Sequence, residues 1–319
     1  MAGTRRRLLF VAANPSVDRL YEVDGLAVGA IQRPLSTTTV PGGKGLNAAR
    51  AAAALGGDVT AVAIVGGRSG DWILDGLAAL ALDVREIRVT GETRTCVSIL
   101  DRSNGALTEV YEPGETVDPA DWEAMEAAIA SELARGDVAA VAISGSLPPG
   151  APTDGFGRIA RLAGAATPPV PVLADTYGPA LSAVLAGRPA LVKVNAAEAA
   201  QATGVEVTDA RSAAEAADAL RDAGAAAVIV TLGADGAVVV GPESRSRLVV
   251  PPLVGRYPVG SGDAFLGGLA VAIARGDDAV EAARLGCAAG IANAQVPGAG
   301  QLDAERVPAI LEAITVEPI

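Results

Sequence analysis

Short apolar runs alternate with longer alanine-rich segments through most of the chain. The apolar runs predict strands that are buried on both faces: LLFVA (8–12), TAVAIV (60–65), VAAVAIS (138–144), PVLAD (171–175), ALVKV (190–194) and AAVIVTL (226–232). The segments between them have helical length and composition, at 45–55, 71–81, 119–135, 155–164, 178–186 and 209–223. This alternation predicts an α/β fold with a mostly parallel sheet and helices on both faces. Ligands of such sheets bind beyond the carboxyl ends of the strands.

Two segments, 16–40 and 89–115, lack the helical period. They carry β-branched residues, alternating polarity and turn signals such as Ser103-Asn104-Gly105, which favour a small extra sheet over exposed loops. The predicted division is an α/β core at 1–13, 41–88 and 116–319 with a β lid at 14–40 and 89–115. A sheet projecting over the carboxyl edge of the core would close the site, and its uncovered face would favour a homodimer.

The composition excludes several classes of function. Half of the residues are hydrophobic but only 3% are aromatic, so the core must consist mainly of Ala, Val, Leu and Ile. The net charge of −12 and the pI near 4.6 argue against a nucleic-acid binder, which would present a basic face. The absence of histidine excludes Ser-His-Asp and Cys-His catalysis and every His-ligated metal site.

The sequence also predicts a soluble, cytoplasmic protein. The N-terminal MAGTRRRLLFVAANP imitates a signal peptide, but its apolar run stops at Ala13, which is too short for an h-region, so we expect a first strand there. No apolar stretch reaches membrane-spanning length without interruption. The two cysteines, Cys96 and Cys287, lack metal-ligand spacing and are expected to be free thiols in a reducing compartment.

The stretch Gly260-Ser261-Gly262-Asp263 opens a predicted helix at 262–275. Glycines let several backbone N–H groups turn toward one point, and a helix N-terminus adds positive potential, so the first three residues are expected to form an anion hole. An anion hole beside a carboxylate suits phosphoryl transfer to a hydroxyl, because the carboxylate accepts the proton of the attacking oxygen. We expect the helix N-terminus to lower the pKa of Asp263. A simple glycine turn capped by the aspartate is the alternative.

A second glycine cluster, VPGGKGLNAARAAAALGG (40–57), also opens a helix. It fits neither G-x-x-x-x-G-K-[ST] nor G-x-G-x-x-G, so it is not a P-loop or a dinucleotide fingerprint. Its glycines suit close approach of a polyhydroxylated ligand, and Lys44 and Asn47 supply donors to sugar hydroxyls or a phosphate. The alternative is a tight helix start with Lys44 in solvent.

GGKGLNAA followed at a distance by GSGD resembles the two signature regions of PfkB-type carbohydrate kinases, within the ribokinase-like superfamily. Five more motifs resemble this family in the same order along nearly the whole chain: NPSVD (14–18), GETRT (91–95), SGSLPPG (144–150), KVNAAE (193–198) and TLGADG (231–236). The first three resemble its phosphosugar branch, the fourth its N-x-x-E element and the fifth its nucleotide loop. The resemblance implies a ribokinase-like three-layer α/β/α sandwich with a small β-sheet lid.

The resemblance also implies roles for residues, with ATP and Mg²⁺ as cofactors. Asp263 would be the catalytic base, and Gly260, Ser261 and Gly262 the anion hole. The residues implied for the sugar are Asp18, Gly42, Gly43, Lys44 and Asn47, with Ser146 near a substrate phosphate. Those implied for the nucleotide are Lys193, Thr231, Gly233, Gly236 and Gly262, with Asn293 near the adenine. Asn195 and Glu198 would position Mg²⁺ through waters, the alternative for this pair being an ordinary surface helix start.

Arg33 and Arg94 lie in the expected lid. A bidentate arginine suits a phosphate already carried by the substrate, a solvated lid arginine being the alternative for each. We therefore expect a ketohexose phosphate as acceptor: fructose 1-phosphate, tagatose 6-phosphate or fructose 6-phosphate. Tyr257-Pro258 stand where many members have Asp-Thr, which leaves the acceptor isomer and a monovalent-cation site open. The alternatives are a kinase of an unphosphorylated sugar or nucleoside, and a sugar-phosphate-binding regulator without activity.

Overall fold

The computed structural model describes residues 6–253 and 255–319 of the chain. The beginning of the expected core segment 1–13 therefore lies outside the described residues. No helix in the described part is long and apolar enough to cross a membrane.

Strands and helices alternate along the described residues. The strands are β1 (Arg7–Ala12), β2 (Ser16–Val23), β3 (Ser36–Gly42), β4 (Val59–Gly66), β5 (Asp83–Val89), β6 (Thr95–Asp101), β7 (Leu107–Tyr111), β8 (Val138–Ser144), β9 (Val172–Asp175), β10 (Leu191–Asn195), β11 (Ala227–Thr231), β12 (Ala237–Val240), β13 (Arg245–Val249) and β14 (Thr315–Pro318). The helices are α1 (Lys44–Ala54), α2 (Gly67–Ala79), α3 (Pro119–Ala134), α4 (Gly155–Ala165), α5 (Gly178–Ala186), α6 (Ala196–Thr203), α7 (Ala210–Asp222), α8 (Ser261–Arg275), α9 (Ala279–Asn293) and α10 (Val307–Ala313).

Ten strands form one sheet in the order β14-β13-β12-β11-β10-β9-β8-β1-β4-β5. The seven strands from β11 to β5 in this order pair in parallel, and β12, β13 and β14 add an antiparallel edge. The prediction of a mostly parallel sheet is confirmed. The carboxyl ends of the parallel strands therefore meet at one edge, where a ligand site is expected.

Helices cover both faces of this sheet. Alternate residues of β1 point to opposite faces: Leu8 and Phe10 pack in the cluster that includes α1, α2, α8, α9 and α10, whereas Leu9 and Val11 pack in the cluster that includes α3 to α7. The result is a three-layer α/β/α arrangement, as the strand–helix alternation predicted.

Several elements were not predicted from the sequence pattern. β5 reads DVREIRV, with charged and apolar residues mixed, because it is an edge strand that is partly exposed to water. α9 is rich in alanine and glycine and has no clear apolar stripe, because ten of its fifteen residues are buried. Buried helices and exposed edge strands both lack the polarity period on which sequence patterns depend.

The strands β3, β2, β6 and β7 form a separate four-stranded sheet in that order. All four come from the two segments that lack the helical period, although β3 continues to Gly42, past the expected boundary at 40. In the register of this sheet Asp18 lies beside Cys96, and Cys96 beside Tyr111. These three side chains therefore share one face, and we call this sheet the lid.

A buried charged cluster joins α3 to the amino end of the sheet, opposite the expected site. Arg7 contacts Glu132 and Asp137, each at 2.7 Å, and Arg85 Nε lies 2.7 Å from Glu132 Oε1. Burial would raise the pKa of Glu132, but hydrogen bonds from Arg85 and Arg7 lower it on balance, so the carboxylate stays charged. The cluster thus connects α3 to Arg7 on β1 and to Arg85 on β5.

Candidate active site

Three core strands end at a cavity of about 470 Å³ beneath the lid. Asp175 ends β9, Asn195 ends β10 and Thr231 ends β11. Of the residues expected at the site, the wall contains Asp18, Gly43, Lys44, Asn47, Arg94, Lys193, Asn195, Glu198, Thr231, Gly233, Gly260, Gly262 and Asp263. Both glycine clusters, far apart in sequence, therefore open into one cavity.

The helix α8 begins at this cavity with its glycines. Gly260 has φ 83°, a left-handed conformation that favours glycine. Gly260 and Gly262 line the cavity, but the Ser261 N–H donates to Pro258 O at 3.1 Å. The expectation that Ser261 contributes its amide to the anion hole is therefore corrected, because this amide closes the turn before the helix.

Asp263 lies in the first turn of α8 and is only 6% exposed. Burial raises its pKa to about 7, against the opposing effect of the Lys44 ammonium, and Asp175 raises it further. The expectation of a lowered pKa is wrong, because loss of hydration outweighs the helix N-terminus at this depth. A carboxyl group with a pKa near 7 suits a general base that works near neutral pH.

One side-chain amide connects two carboxylates in the wall of the cavity. Asn47 Nδ2 donates to Asp263 Oδ2 at 3.0 Å and to Asp18 Oδ2 at 3.2 Å. Asp18 also accepts from Ser16 Oγ at 2.5 Å. A Cβ on Gly42 would lie 2.1 Å from Asp18 Cγ, so glycine is needed where the chain passes this carboxylate. Residues expected to bind the sugar therefore lie next to the expected base.

Two lysines place positive charge beside the anion hole. Lys193 Nζ is 2.6 Å from Asp175 Oδ2, and a Cβ on Gly262 would lie 2.8 Å from the same Nζ. Lys44 Nζ is 3.8 Å from Glu198 Oε1. Burial alone would lower the pKa of Lys44, but the surrounding carboxylates raise it on balance, so the group keeps its charge. Both ammonium groups suit phosphate oxygens.

Asn195 and Glu198 form a reciprocal capping box at the start of α6. Asn195 Oδ1 accepts from the Glu198 N–H at 2.9 Å, and Glu198 Oε2 accepts from the Asn195 N–H at 2.9 Å. Both side chains also line the cavity. Within the described residues, no group of three or more His, Cys, Asp or Glu side chains could hold a metal. These donors fit a Mg²⁺ ion bound mainly by phosphates and waters, which needs only one or two protein carboxylates.

A neighbouring cavity of about 390 Å³ has a mostly apolar wall. It shares Thr231, Gly233 and Gly262 with the central cavity. The rest of its wall includes Gly236, Val250, Ser261, Phe265, Cys287 and Ile291. A cavity of this size and polarity fits a flat nucleotide base.

Asn293 lines neither of these cavities, contrary to the expectation that it lies near the adenine. It is fully buried at the end of α9, and its Nδ2 donates to Val259 O at 3.0 Å and to Tyr257 O at 3.4 Å. Its amide group is used to hold the turn that precedes α8. Asn293 therefore lies behind the start of α8 and bonds to the segment that leads into it.

A smaller cavity of about 130 Å³ adjoins the central one and collects hydrogen-bond donors. Arg94 Nη2 donates to Asn14 O at 3.1 Å, which holds the guanidinium in the wall, and Asn14 Nδ2 donates to Ser146 Oγ at 3.1 Å. Ser144 Oγ is buried without a hydrogen-bond partner in the described residues. Lys44 also reaches this wall. The set fits a phosphate group, whose oxygens would accept from several donors.

Arg33 does not lie with Arg94. It is exposed in the loop between β2 and β3 and lines none of the three cavities described above. The expectation that Arg33 and Arg94 clamp the substrate together is therefore wrong within a single chain, where Arg33 lies away from these cavities. Arg94 precedes β6, an inner strand of the lid, whereas the loop of Arg33 extends beyond the sheet.

Three residues of the site were missed in the sequence. Asp175 ends the run PVLAD, and a carboxylate directly after a buried parallel strand was a usable signal. Tyr177 places its ring centroid 5.6 Å from Lys44 Nζ. Arg50, on α1, donates to Asn47 Oδ1 at 3.3 Å. The sequence of this alanine-rich helix gave no signal that Arg50 belongs to the site.

A carboxyl group with a raised pKa, set between a glycine-opened helix and two ammonium groups, is arranged for phosphoryl transfer to a hydroxyl group. The protein is thus a phosphotransferase with an alcohol acceptor. Residues 11–305 match the family described as pfkB family carbohydrate kinase, and the chain belongs to this family. Its phosphoryl donor is ATP with Mg²⁺.

Known proteins resemble the chain over almost its whole length. The 1-phosphofructokinase of Rhodobacter capsulatus is 35% identical over 316 residues, which are 98% of this chain and 98% of that protein. The structure of phosphofructokinase-2 from Escherichia coli in complex with potassium has a TM-score of 0.87 and 28% identity, covering 96% of this chain and 98% of that one. The tetrameric inhibited form of the same enzyme has a TM-score of 0.86 and 27% identity, with the same coverage. The ribokinase-like fold is confirmed, and the chain is a sugar-phosphate kinase.

Proposed function

We propose that the protein transfers the γ-phosphoryl group of ATP to the free primary hydroxyl of a ketohexose phosphate, and that fructose 1-phosphate is the acceptor. The observation that carries this proposal is the donor-lined cavity around Arg94 and Ser146, which adjoins the cavity of Asp263. Similarity to the 1-phosphofructokinase favours fructose 1-phosphate over fructose 6-phosphate and tagatose 6-phosphate. The reaction is expected in the cytoplasm, where ATP is available and the free Cys96 and Cys287 stay reduced.

In the proposed reaction Asp18 and Asn47 orient the sugar hydroxyls, and Asp263 accepts the proton of the attacking hydroxyl. The hydroxyl oxygen forms a bond to the γ-phosphorus, the bond to the β–γ bridging oxygen breaks, and ADP leaves. The Gly262 amide and the ammonium of Lys44 stabilise the charge on the transferring group. Mg²⁺, positioned by Asn195 and Glu198, would neutralise charge on the phosphate chain.

The lid also has a defined part in this reaction. Asp18 on β2 and Tyr111 on β7 line the cavity from the lid, and Arg94, which also lines it, directly precedes β6. The acceptor would thus be bound between lid and core. Because the lid excludes water from the ionised base and the γ-phosphate, it suppresses hydrolysis of ATP.

We expect Arg94→Gln to raise the KM for the phosphorylated acceptor by about 10–100-fold, since a charge-assisted hydrogen bond contributes about 1.5–3 kcal/mol. The kcat and the KM for ATP should change much less. The measurement is a coupled ADP-release assay with fructose 1-phosphate, fructose 6-phosphate, tagatose 6-phosphate, fructose and ribose. Arg88→Gln, at an exposed arginine on the edge strand β5, is the matched control.

The acceptor series also separates the rival functions. Turnover of fructose or ribose alone, unaffected by Arg94→Gln, would show that the kinase acts on a neutral sugar. Binding of a sugar phosphate without turnover of any acceptor would indicate a regulator. Either result contradicts the proposal.

We further propose that the lid forms a homodimer. Several apolar side chains of the lid and of its β2–β3 loop are exposed, among them Val28 at 103% and Ile31 at 84% in the loop and Val110 at 59% on β7. Exposed apolar patches of this kind mark protein interfaces. The inhibited form of the similar phosphofructokinase-2 is tetrameric, which supports association of this chain with copies of itself.

Sedimentation velocity of the purified protein is expected to give twice the mass of the chain. Ile31→Asp should shift the protein toward the monomer, because a charge in an apolar interface loses hydration on association. Leu80→Asp, at an exposed leucine that follows α2, is the control and should leave the mass unchanged. A wild-type monomer at micromolar concentration, or a variant that associates as the wild type does, contradicts dimerisation through the lid.

A further inference from the structure

Arg50 is a buried arginine without a carboxylate at ion-pair distance in the described part of the chain. It lies on α1 and is 6% exposed. Its Nη1 donates to three oxygens: Pro41 O at 2.8 Å, Ala299 O at 3.0 Å and Asn47 Oδ1 at 3.3 Å. Its Nε is buried and has no hydrogen-bond partner among the residues that the structure describes. Burying a cation without a paired anion costs stability, so a functional reason for this arrangement is expected.

The bond from Arg50 sets the orientation of the Asn47 side-chain amide. Because Oδ1 faces the guanidinium, the amide NH₂ points the other way, toward Asp18 and Asp263. The reverse orientation would place the NH₂ against the N–H groups of Arg50 and the oxygen against two carboxylates, which is repulsive on both sides. Arg50 thereby selects the one orientation in which the amide joins the sugar site to the base.

The other two bonds of Arg50 reach segments that border the site. Pro41 belongs to β3 of the lid. Ala299 follows α9 and packs on the anion-hole turn, where a Cβ on Gly260 would come within 2.6 Å of Ala299 Cα. One guanidinium therefore bonds to the lid, to the helix that carries Asn47 and to the segment that supports the start of α8.

We propose that Arg50 is a positioning residue for phosphoryl transfer, which acts through Asn47 to hold Asp18 and Asp263 in the geometry that binds and deprotonates the acceptor. The proposal rests on the kinase reaction but not on the identity of the acceptor. A displacement of about 1 Å in such a pair can cost about 10²-fold in rate, so a residue that only orients the amide has a large effect.

The charge of Arg50 supports this role. Burial lowers the pKa of Arg50 to about 10, so it stays protonated at neutral pH. Burial raises the pKa of Asp18, and the charge of Arg50 is one of the effects that oppose this rise. The same charge also interacts with Asp263. The other groups that face Asp263 are Lys44 and Asn47 on α1, Asp175 on β9 and Lys193 on β10. Loss of the Arg50 charge should therefore raise the pKa of Asp263.

The first test compares Arg50→Gln and Arg50→Lys with Arg7→Gln, a substitution of another buried arginine at the opposite edge of the sheet. For each variant we would measure kcat, both KM values and the Tm from about pH 5.5 to about pH 9. Arg50→Gln is expected to lower kcat/KM for the acceptor by about 10²-fold and to move the acid limb of the profile to higher pH. Arg50→Lys keeps the positive charge, so the acid limb of its pH profile should lie at the same pH as that of the wild type. Arg7→Gln should lower the Tm and leave the profile unchanged.

The second test is a double-mutant cycle with Asn47→Ala, measured at a pH where Asp263 is ionised in every variant. If Arg50 acts through Asn47, Arg50→Gln costs less than about threefold in the Asn47→Ala protein, against about 10²-fold in the wild type. Equal costs in both backgrounds overturn the proposal. So does an Arg50→Gln profile that coincides with that of Arg7→Gln.

The positioning role of Arg50 can be tested by binding even if the proposed kinase reaction is not observed. If the wild type turns over none of the acceptors, each variant is titrated with fructose 1-phosphate by isothermal calorimetry. Affinity that falls by about tenfold or more in Arg50→Gln but not in Arg7→Gln supports the positioning role, because Asp18 would have lost its orientation. Equal affinities contradict it.

Discussion

Replacing Asp263 with asparagine is expected to lower kcat by about 10²–10⁴-fold, the range that a positioned general base contributes. The amide has nearly the same shape, and its oxygen can still accept from Asn47, which donates to Asp263 Oδ2 at 3.0 Å. It cannot take up the proton of the acceptor hydroxyl. Initial rates of ADP release at saturating Mg·ATP and acceptor measure the loss.

The pH dependence of kcat/KM in the wild type gives a second test of Asp263 as the base. As the proposed base, Asp263 would act in its ionised form, and burial raises its pKa to about 7. The kcat/KM should therefore rise with pH up to a limb near pH 7 and level off above it. The residual activity of Asp263→Asn should lack this limb, because asparagine does not titrate.

The matched control for this substitution is Asp278→Asn at the start of the neighbouring helix α9. Asp278 accepts from the Val280 and Glu281 N–H groups at 2.9 and 3.0 Å. Asparagine caps helices about as well as aspartate, so kcat should stay within about twofold of the wild type. If Asp263→Asn keeps more than about a tenth of the wild-type kcat, Asp263 is not the base.

The stability of Asp263→Asn should change in the opposite direction to its activity. Because the folded protein raises the pKa of Asp263 from 3.8 to about 7, folding favours the protonated carboxyl group. The ionised group therefore costs stability in full above about pH 7, and this cost disappears as the pH falls toward 3.8. At pH 8 the Tm of the variant should exceed that of the wild type, and the two should converge near pH 4. A lower Tm at pH 8 contradicts the raised pKa.

Gly260→Ala is expected to lower kcat by about 10²–10³-fold, the loss seen when an oxyanion donor is removed. A Cβ on Gly260 would lie 2.4 Å from Gly300 N and 2.6 Å from Ala299 Cα. Both contacts are with backbone atoms, which cannot rotate away as a side chain can. The turn must therefore move, and the Gly262 amide and Asp263 must move with it. Steady-state kinetics and a thermal melt of the same sample separate this displacement from unfolding.

Gly276→Ala, at the other end of the same helix, is the control for backbone strain. Gly276 has φ 93°, close to the 83° of Gly260, but a Cβ there would meet no atom within 4 Å. Its substitution should cost about 1 kcal/mol of stability and leave kcat unchanged. If both variants lose kcat to the same extent, strain in α8 explains the loss, and the packing of Gly260 on Ala299 does not.

Much of the fold followed from local pattern. Strands such as LLFVA were predictable because a parallel strand with both faces buried is a continuous apolar run. β5 was not predictable in this way, because an exposed edge strand carries charged residues. The two glycine clusters marked helix starts at the site, since closely spaced glycines allow the backbone to turn several N–H groups toward a ligand.

The roles of residues at the site were predictable to a smaller extent than their types. Arg33 and Arg94 are the same residue type in the same predicted lid, yet of the two only Arg94 lines the central cavity and the smaller cavity beside it. Asn293 was expected at the adenine but holds the turn before α8. Arg50 escaped notice because its partners, Pro41 and Ala299, are brought to it only by folding.

The sequence by itself determined the alternation of buried strands and helices, the family and the kind of chemistry, because apolar period and motif spacing are properties of neighbouring residues. Only the tertiary structure decided the pKa of Asp263. Its helix N-terminus is local and lowers the pKa, whereas burial is produced by segments far apart in the chain and raises it. The charged groups that further shift this pKa are Lys44, Asp175 and Lys193, which folding places around the Asp263 carboxyl group. Desolvation and Coulomb interactions depend on distances in space, and these distances are set by packing.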